Sequence, residues 1–583
     1  MASGRIAKLH KKLANYSLDI AIPVYFFSLL LELAHFFPTL GSINVWDEAS
    51  YVRAGWQLLT EGIWPALVAS PLMSLLYALT ALPVKNSPDY FVQSIAIGRI
   101  FLFTLIYFCV YFLARELKPY ANPWVMLAMV VIIPVATTMF LFPSDILFAG
   151  LSGLAFWQML AYYNHRKRNH LWWASGLMGL GMLARAEGLL LIGVMLIVVL
   201  LINLRNKDWY KHIISVLVPF TVLVGGYILV FGLVTGNFET GLSGRTFNNF
   251  ESGHEVIYSK STPFIPTISA RLESRKYFGT PEENNNSVFR AILRNPNMYL
   301  KRLKAAGPSF FRNSIKAYGN KFLLIFIWLS LRGLIKLIHD KHYPLALMGI
   351  LWFVPLGVGW LNTFFREGYF LMPFFVLFAL MSIGLQAILE NFDSKDERIG
   401  LVAGSIFLII VSLAVRNTSM LYRGILFIFG LVLIYKLRLR IPQKDQWRGV
   451  ALWFLLAIIL IIRGGYQPPA LPRYGETDLE QSVYFLQEHL PLNSKVLAGA
   501  PANIWAARMS YSGINSYDIP EFIDSEHFLD WVQVQHIKAI YVDEQFPSAF
   551  FPLVKDLDSS GLSPVFSSSD GEIQVYFVDV NLD

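Results

Sequence analysis

One cysteine, Cys109, stands in 583 residues, and it lies inside an apolar run. An intrachain disulfide and a cysteine-rich zinc site are therefore both excluded. Charge is scarce as well: charged residues make up 15% of the chain against 55% hydrophobic and 15% aromatic. A mean hydropathy of +0.48 accompanies that imbalance. Soluble globular chains of this size do not have such a composition, and a polytopic helical membrane protein does. No Gly-rich loop ending in Lys-Ser or Lys-Thr is present to hold a nucleotide, and no internal repeat of the transporter kind is visible. The net charge of +8 would suggest nucleic acid in a soluble protein. Here the basic residues cluster in short connections between apolar runs, as membrane orientation requires, and nucleic-acid binding is set aside.

Apolar runs long enough to cross a bilayer, about 20 helical residues each, fall at 19–40, 94–114, 123–142, 146–163, 171–184, 188–204, 212–234, 319–338, 344–362, 369–390, 399–415, 419–436 and 449–463. These 13 spans include a short fifth and sixth that also suit a re-entrant hairpin. Deleting both leaves the sidedness of everything downstream unchanged. Arg5, Lys8, Lys11 and Lys12 precede the first run, which reads as a retained signal anchor. With the N-terminus inside, alternate connections carry Arg115 and Lys118, Arg166 to Arg168, Arg205 to Lys211, Arg332 to Lys341, Lys395 and Arg398, and Lys436 to Arg448. The opposite short connections carry few basic residues. The positive-inside rule thus places Asp47, the segment 235–318 and the segment 464–583 on the outer face of a multi-pass protein of the inner or plasma membrane.

That orientation gathers the unusual charges on one side. Asp47 and Glu48 follow the first span, Asp145 lies between the third and fourth, Arg185 and Glu187 between the fifth and sixth, and Arg366 and Glu367 between the ninth and tenth. Any one of them is explained as a helix cap or a solvated loop charge. Four such sites at the outer ends of helices instead describe one polar cavity with a hydrophobic wall. Moving a sugar from a lipid phosphate to an alcohol needs a carboxylate to take the acceptor proton and cations to hold the departing phosphate. An arginine fork suits phosphate oxygens, and a neighbouring acid fixes its orientation.

On these residues the chain resembles the GT-C glycosyltransferases, in particular the protein mannosyltransferase and aminoarabinose transferase branch. The resemblance rests on Asp47-Glu48-Ala-Ser-Tyr51 followed by Gly62-Ile-Trp64-Pro65, on Asp145, on Arg185-Ala-Glu187-Gly188, and on the stretch from Arg366 to Pro373. It covers about the first 390 residues. It implies inverting transfer from a polyprenyl-phosphate sugar to a hydroxyl of a glycan, lipid or protein, with Asp47 as general base and Glu48 as its companion. Arg185, Arg366 and Tyr369 then face the donor phosphate, while Asp145, Glu187 and Tyr51 orient substrate. One departure stands out. Where aminoarabinose transferases carry Lys-Pro-Pro, this chain has Ser70-Pro71, so a phosphate contact is missing and lipid A is disfavoured as acceptor. Asp47 and Asp145 are also of the type that binds a divalent cation, although two carboxylates from separate loops do not define a metal site, and no other cofactor is implied.

The expected organisation is a transmembrane catalytic domain over 1–463, with outer segments at 41–93 and 235–318, and an outer α/β domain over 464–583. Residues Glu48 to Thr60 set Tyr51, Ala54, Leu58 and Leu59 near one helical face, suited to a helix lying in the interface or packed against the protein. Residues 295–304 resemble a juxtamembrane helix. In the last 120 residues, Thr477-Asp-Leu-Glu480 opens a helix to about His489. Strands are expected at 494–498, 538–542 and 573–580, with a helix at 525–535. A lipid-linked glycan ligase or polymerase, and a secondary transporter or flippase, are the alternative functions.

Overall fold

The computed structural model describes residues 46–64, 70–87, 89–121, 143–236, 243–258, 268–362, 367–391, 478–499, 502–513, 524–543 and 562–578, with scattered single positions elsewhere. The expected spans 123–142, 399–415, 419–436 and 449–463, and nearly all of 19–40, lie outside the described residues. Among those described, the fold is mostly helical with a small C-terminal sheet. Four helices are long and apolar enough to cross a membrane: Tyr90–Glu116, Pro143–His165, Trp209–Thr235 and Tyr343–Leu361 taken across its central turn.

The segment 41–93 is helical over most of its described residues. α1 (Trp46–Thr60) packs on α2 (Pro71–Ala81), and both lie against α3 (Tyr90–Glu116). α4 (Pro143–His165), α5 (Asn169–Ala184), α6 (Gly188–Asn203) and α7 (Trp209–Thr235) follow as neighbours. α5 and α6 hold 16 residues each, about 24 Å of axis against a hydrocarbon core of about 30 Å, and only Arg185 to Glu187 separates them.

Three expectations about helix limits are corrected. Asp145 is not in a loop but in the first turn of α4, where an acid complements the helix dipole. The run 344–362 is not one helix: α13 (Tyr343–Leu351) and α14 (Val354–Leu361) are separated by a turn at Trp352, because Pro355 cannot donate to a preceding carbonyl and restarts the helix. The run 369–390 begins instead as a 3-10 turn, Glu367–Leu371, and helix α15 (Phe374–Asn391) starts only after Pro373.

The segment 235–318 folds into short helices, α8 (Ser243–Ser252), α9 (Glu255–Tyr258), α10 (Ile268–Phe278) and α11 (Val288–Arg294), around Phe247, Phe250, Phe278 and Ala291. It then enters α12 (Pro296–His339), which merges the juxtamembrane helix and the eighth expected span into 44 residues, about 66 Å. Arg302 of α12 lies 4.4 Å from the Phe250 ring and 5.2 Å from that of Phe278. Its Nη2 donates to the carbonyls of Phe250 and Asn362, and Tyr299 donates to Leu361, so this helical cap is tied to the end of α14.

The C-terminal domain carries α16 (Asp478–His489), β1 (Lys495–Ala498), α17 (Ala502–Ala506), β2 (Ser510–Gly513), α18 (Ser525–Val534), β3 (Ala539–Val542), β4 (Phe566–Ser567) and β5 (Gln574–Phe577). The strand order is β2-β1-β3-β5-β4, parallel across the first three and antiparallel beyond. β2 and β4 are additions to the expected strands; Ser-Tyr-Ser-Gly and Phe-Ser lack the apolar run that announces a buried strand. One face of this sheet shares a continuous buried cluster with α1 to α3, so the domain is docked on the segment 41–93.

Candidate active site

Two polar clusters stand at the candidate site, joined by α2. In the first, Glu48 is buried, as is Arg99 of α3. Arg99 Nη2 donates to Glu48 Oε2 at 2.5 Å and Nε to Oε1 at 3.3 Å, and the Tyr77 hydroxyl of α2 donates to Oε1 as well. Tyr51 is buried beside Tyr77. The hydrogen-bond partners of Glu48 thus come from α2 and α3, and the carboxylate is enclosed. A buried ion pair of this kind is stable only because both charges are paired and hydrogen-bonded. Asp47 stands one residue earlier in the same helical turn; its side chain lies outside the described residues.

In the second cluster, Arg185 terminates α5 in extended backbone. Its Nη1 donates to Asp145 Oδ1 at 2.5 Å, and its Nε and Nη2 donate to the two oxygens of Glu187 at 3.2 and 2.9 Å. The guanidinium carbon lies 5.0 Å from the Tyr369 ring centroid, within cation–π range. Burial by itself would lower the pKa of Arg185; Asp145 and Glu187 outweigh it and hold the group well above its usual value. Its side chain is 11% exposed and those of Asp145 and Glu187 are 4% and 8%, so all three groups are largely enclosed. Gly368 closes the other side. A Cβ there would sit 2.6 Å from Asp145 Oδ2, so only glycine lets the 3-10 turn pass this close to the carboxylate.

Ser70 bridges the clusters. Its hydroxyl caps α2 by accepting from Met73 N and donates at 2.9 Å to the carbonyl of Ala184, the residue before Arg185. From Ser70 to Tyr77 is about 10 Å of helix axis. The serine that replaces the expected lysine therefore joins the first outer segment to the arginine turn.

Asp145, Arg185, Glu187 and Tyr369 come together, and Glu48 and Tyr51 form the neighbouring group. Arg366 lies outside the described residues. Arg99, Tyr77 and Gly368 were not foreseen from the sequence, and Ser70 was noted there only as a missing lysine. Arg99 alone left a signal there, as the sole charge in the apolar run 94–114. Among the described residues no group of three or more His, Cys, Asp or Glu side chains is arranged to hold a metal.

Comparison of the whole structure with solved ones gives ArnT from Cupriavidus metallidurans in the apo state, with a TM-score of 0.54 at 12% identity over 97% of this chain and 98% of that one. The chain has the GT-C fold. The same ArnT bound to undecaprenyl phosphate matches with a TM-score of 0.52 at 12% identity, covering 96% of this chain and 97% of the other. The archaeal oligosaccharyltransferase AglB from Archaeoglobus fulgidus, in complex with an inhibitory peptide and a dolichol-phosphate, matches with a TM-score of 0.50 at 10% identity, covering 97% of this chain and 75% of AglB. No family model matches the sequence, and no curated protein matches it. The fold is thus shared with these structures at only 10–12% sequence identity.

Proposed function

We propose that this protein is a membrane glycosyltransferase that moves a sugar from a polyprenyl-phosphate donor to an acceptor hydroxyl on the outer face, with inversion. The observation that carries the reading is the Asp145–Arg185–Glu187–Tyr369 cluster, set at helix ends in a fold shared with an undecaprenyl-phosphate-bound ArnT. A guanidinium has five N–H donors. Three are committed to Asp145 and Glu187, which fix its plane, and the remaining two are left for the donor phosphate. Arg366 supplies the second cation, which offsets the two carboxylates and leaves the cluster neutral before the phosphate arrives.

Asp47 accepts the acceptor's hydroxyl proton as the oxygen attacks the anomeric carbon in line. The bond from that carbon to the phosphate oxygen breaks, and polyprenyl phosphate leaves with its charge held by the arginines. Glu48 acts through position. Locked to Arg99 and Tyr77, it sets the first turn of α1 and with it the backbone of Asp47. Asp145 and Glu187 orient Arg185, and Tyr51 supports Tyr77 from the core.

The test incubates purified protein with a panel of polyprenyl-phosphate sugars and acceptors, beside an Asp47→Asn variant. Consumption of one donor by the wild type, with loss of at least about 100-fold in the variant and unchanged donor binding, is expected for removal of a general base. A fully active Asp47→Asn protein would remove that residue from the chemistry. The likeness to AglB favours a second reading, transfer of a preassembled lipid-linked oligosaccharide to a peptide. Including such a donor and peptide in the panel separates the two.

A further inference from the structure

Arg508 sits at a backbone position that does not ask for arginine. It follows α17 with φ +60°, and Met509 N closes back on the Ile504 carbonyl at 2.9 Å, which makes it the left-handed residue ending that helix. Glycine is the usual occupant of such a position, and asparagine the tolerated one. Asn493, which donates its N–H to the Arg508 carbonyl, has φ +65° and fits that preference. What the arginine does with its side chain lies in the other domain. Nη2 donates to the Ser87 carbonyl at 2.7 Å, and the guanidinium carbon lies 5.0 Å from the centroid of the Tyr90 ring.

Tyr90 is in turn stacked on Trp56 of α1, with ring centroids 3.8 Å apart. Trp56 is eight residues beyond Glu48, close to the same side of α1. The helix that begins with Asp47 and Glu48 is therefore fixed to α3 at two points, Glu48 on Arg99 and Trp56 on Tyr90, and the outer domain reaches the second of them. We propose that Arg508 is a positioning residue: it latches the outer domain onto Tyr90 and Trp56 and so sets the placement of the helix that carries Asp47. The outer domain thereby bears on catalysis without touching substrate. The consequence for transfer rests on the proposed reaction, whereas the latch does not.

Arg508→Gly tests it cleanly, because glycine suits the left-handed backbone and the substitution removes only the side chain. In full-length protein in lipid nanodiscs, hydrogen exchange of the α1 amides should speed up at least tenfold while β1 to β3 keep their protection. Turnover with whichever polyprenyl-phosphate sugar of the panel the wild type consumes should fall about tenfold with the donor KM unchanged. Tyr90→Leu should loosen the same amides, and the double variant should be no looser than the looser single one, as expected for residues acting through one contact. Unchanged exchange in α1, or faster exchange that extends into β1 to β3 and so marks a folding role, would overturn the proposal. Faster exchange in α1 in a protein that transfers no polyprenyl-phosphate sugar would leave the latch standing and sink the proposed reaction instead.

Discussion

Glu48 and Arg99 are 1% and 0% exposed, and their charges are tolerated because they pair with each other while Tyr77 also donates to Glu48. Removing one partner strands the other. Arg99→Met should destabilise the protein by about 3–5 kcal/mol, read from thermal unfolding in detergent, and Glu48→Gln combined with Arg99→Met should recover much of that loss. Equal destabilisation by the single and double variants would contradict this account of the pair. The sequence made each charge visible but not the pairing. Arg99 is 51 positions from Glu48, and Arg185 is 40 from Asp145, so hydropathy windows register only that a charge interrupts an apolar run. Of the charges expected to share one cavity, Asp145, Arg185 and Glu187 meet, while Glu48 is turned into the protein in a separate cluster, a distinction that depends on which way α1 rolls against α2 and α3.

At the level of elements, helix existence was legible from length and hydropathy, while helix ends were set by proline and by neighbours. Pro355 and Pro373 moved two boundaries, and α12 runs on through the limit that a polarity change at residue 319 implied, since an outer cap shields its first turns. The closest crossing is between α12 and α15. A Cβ on Gly333 would lie 1.9 Å from the Leu380 carbonyl oxygen, and one on Gly384 the same distance from that of Leu329. Bilayer lipid gives helices no hydrophobic reason to associate, so backbone approach through small residues carries this contact. Gly384→Leu should separate the two helices and cost about 1–3 kcal/mol or more, seen as a lower unfolding temperature. An unchanged unfolding temperature would mean that the crossing is not tight.

For the whole molecule, the single cysteine becomes a tool. Cys109 is completely buried, so the native protein offers no accessible thiol and an introduced one reports its own location. Leu492→Cys, in the outer domain, should react with a membrane-impermeant thiol reagent in sealed cells or right-side-out vesicles. Asn206→Cys, between α6 and α7, should react only after permeabilisation. The reverse pattern would invert the molecule and place the arginine cluster on the cytoplasmic side, where the proposed donor does not present its sugar. Arg185, held between Asp145 and Glu187, is either a phosphate-binding cation or a structural ion pair. Binding of undecaprenyl phosphate to the wild type and to Arg185→Gln in nanodiscs decides between them. A loss of affinity of about 10- to 100-fold, the worth of a charged hydrogen bond, is predicted, and equal affinity in the two proteins would contradict the proposed site.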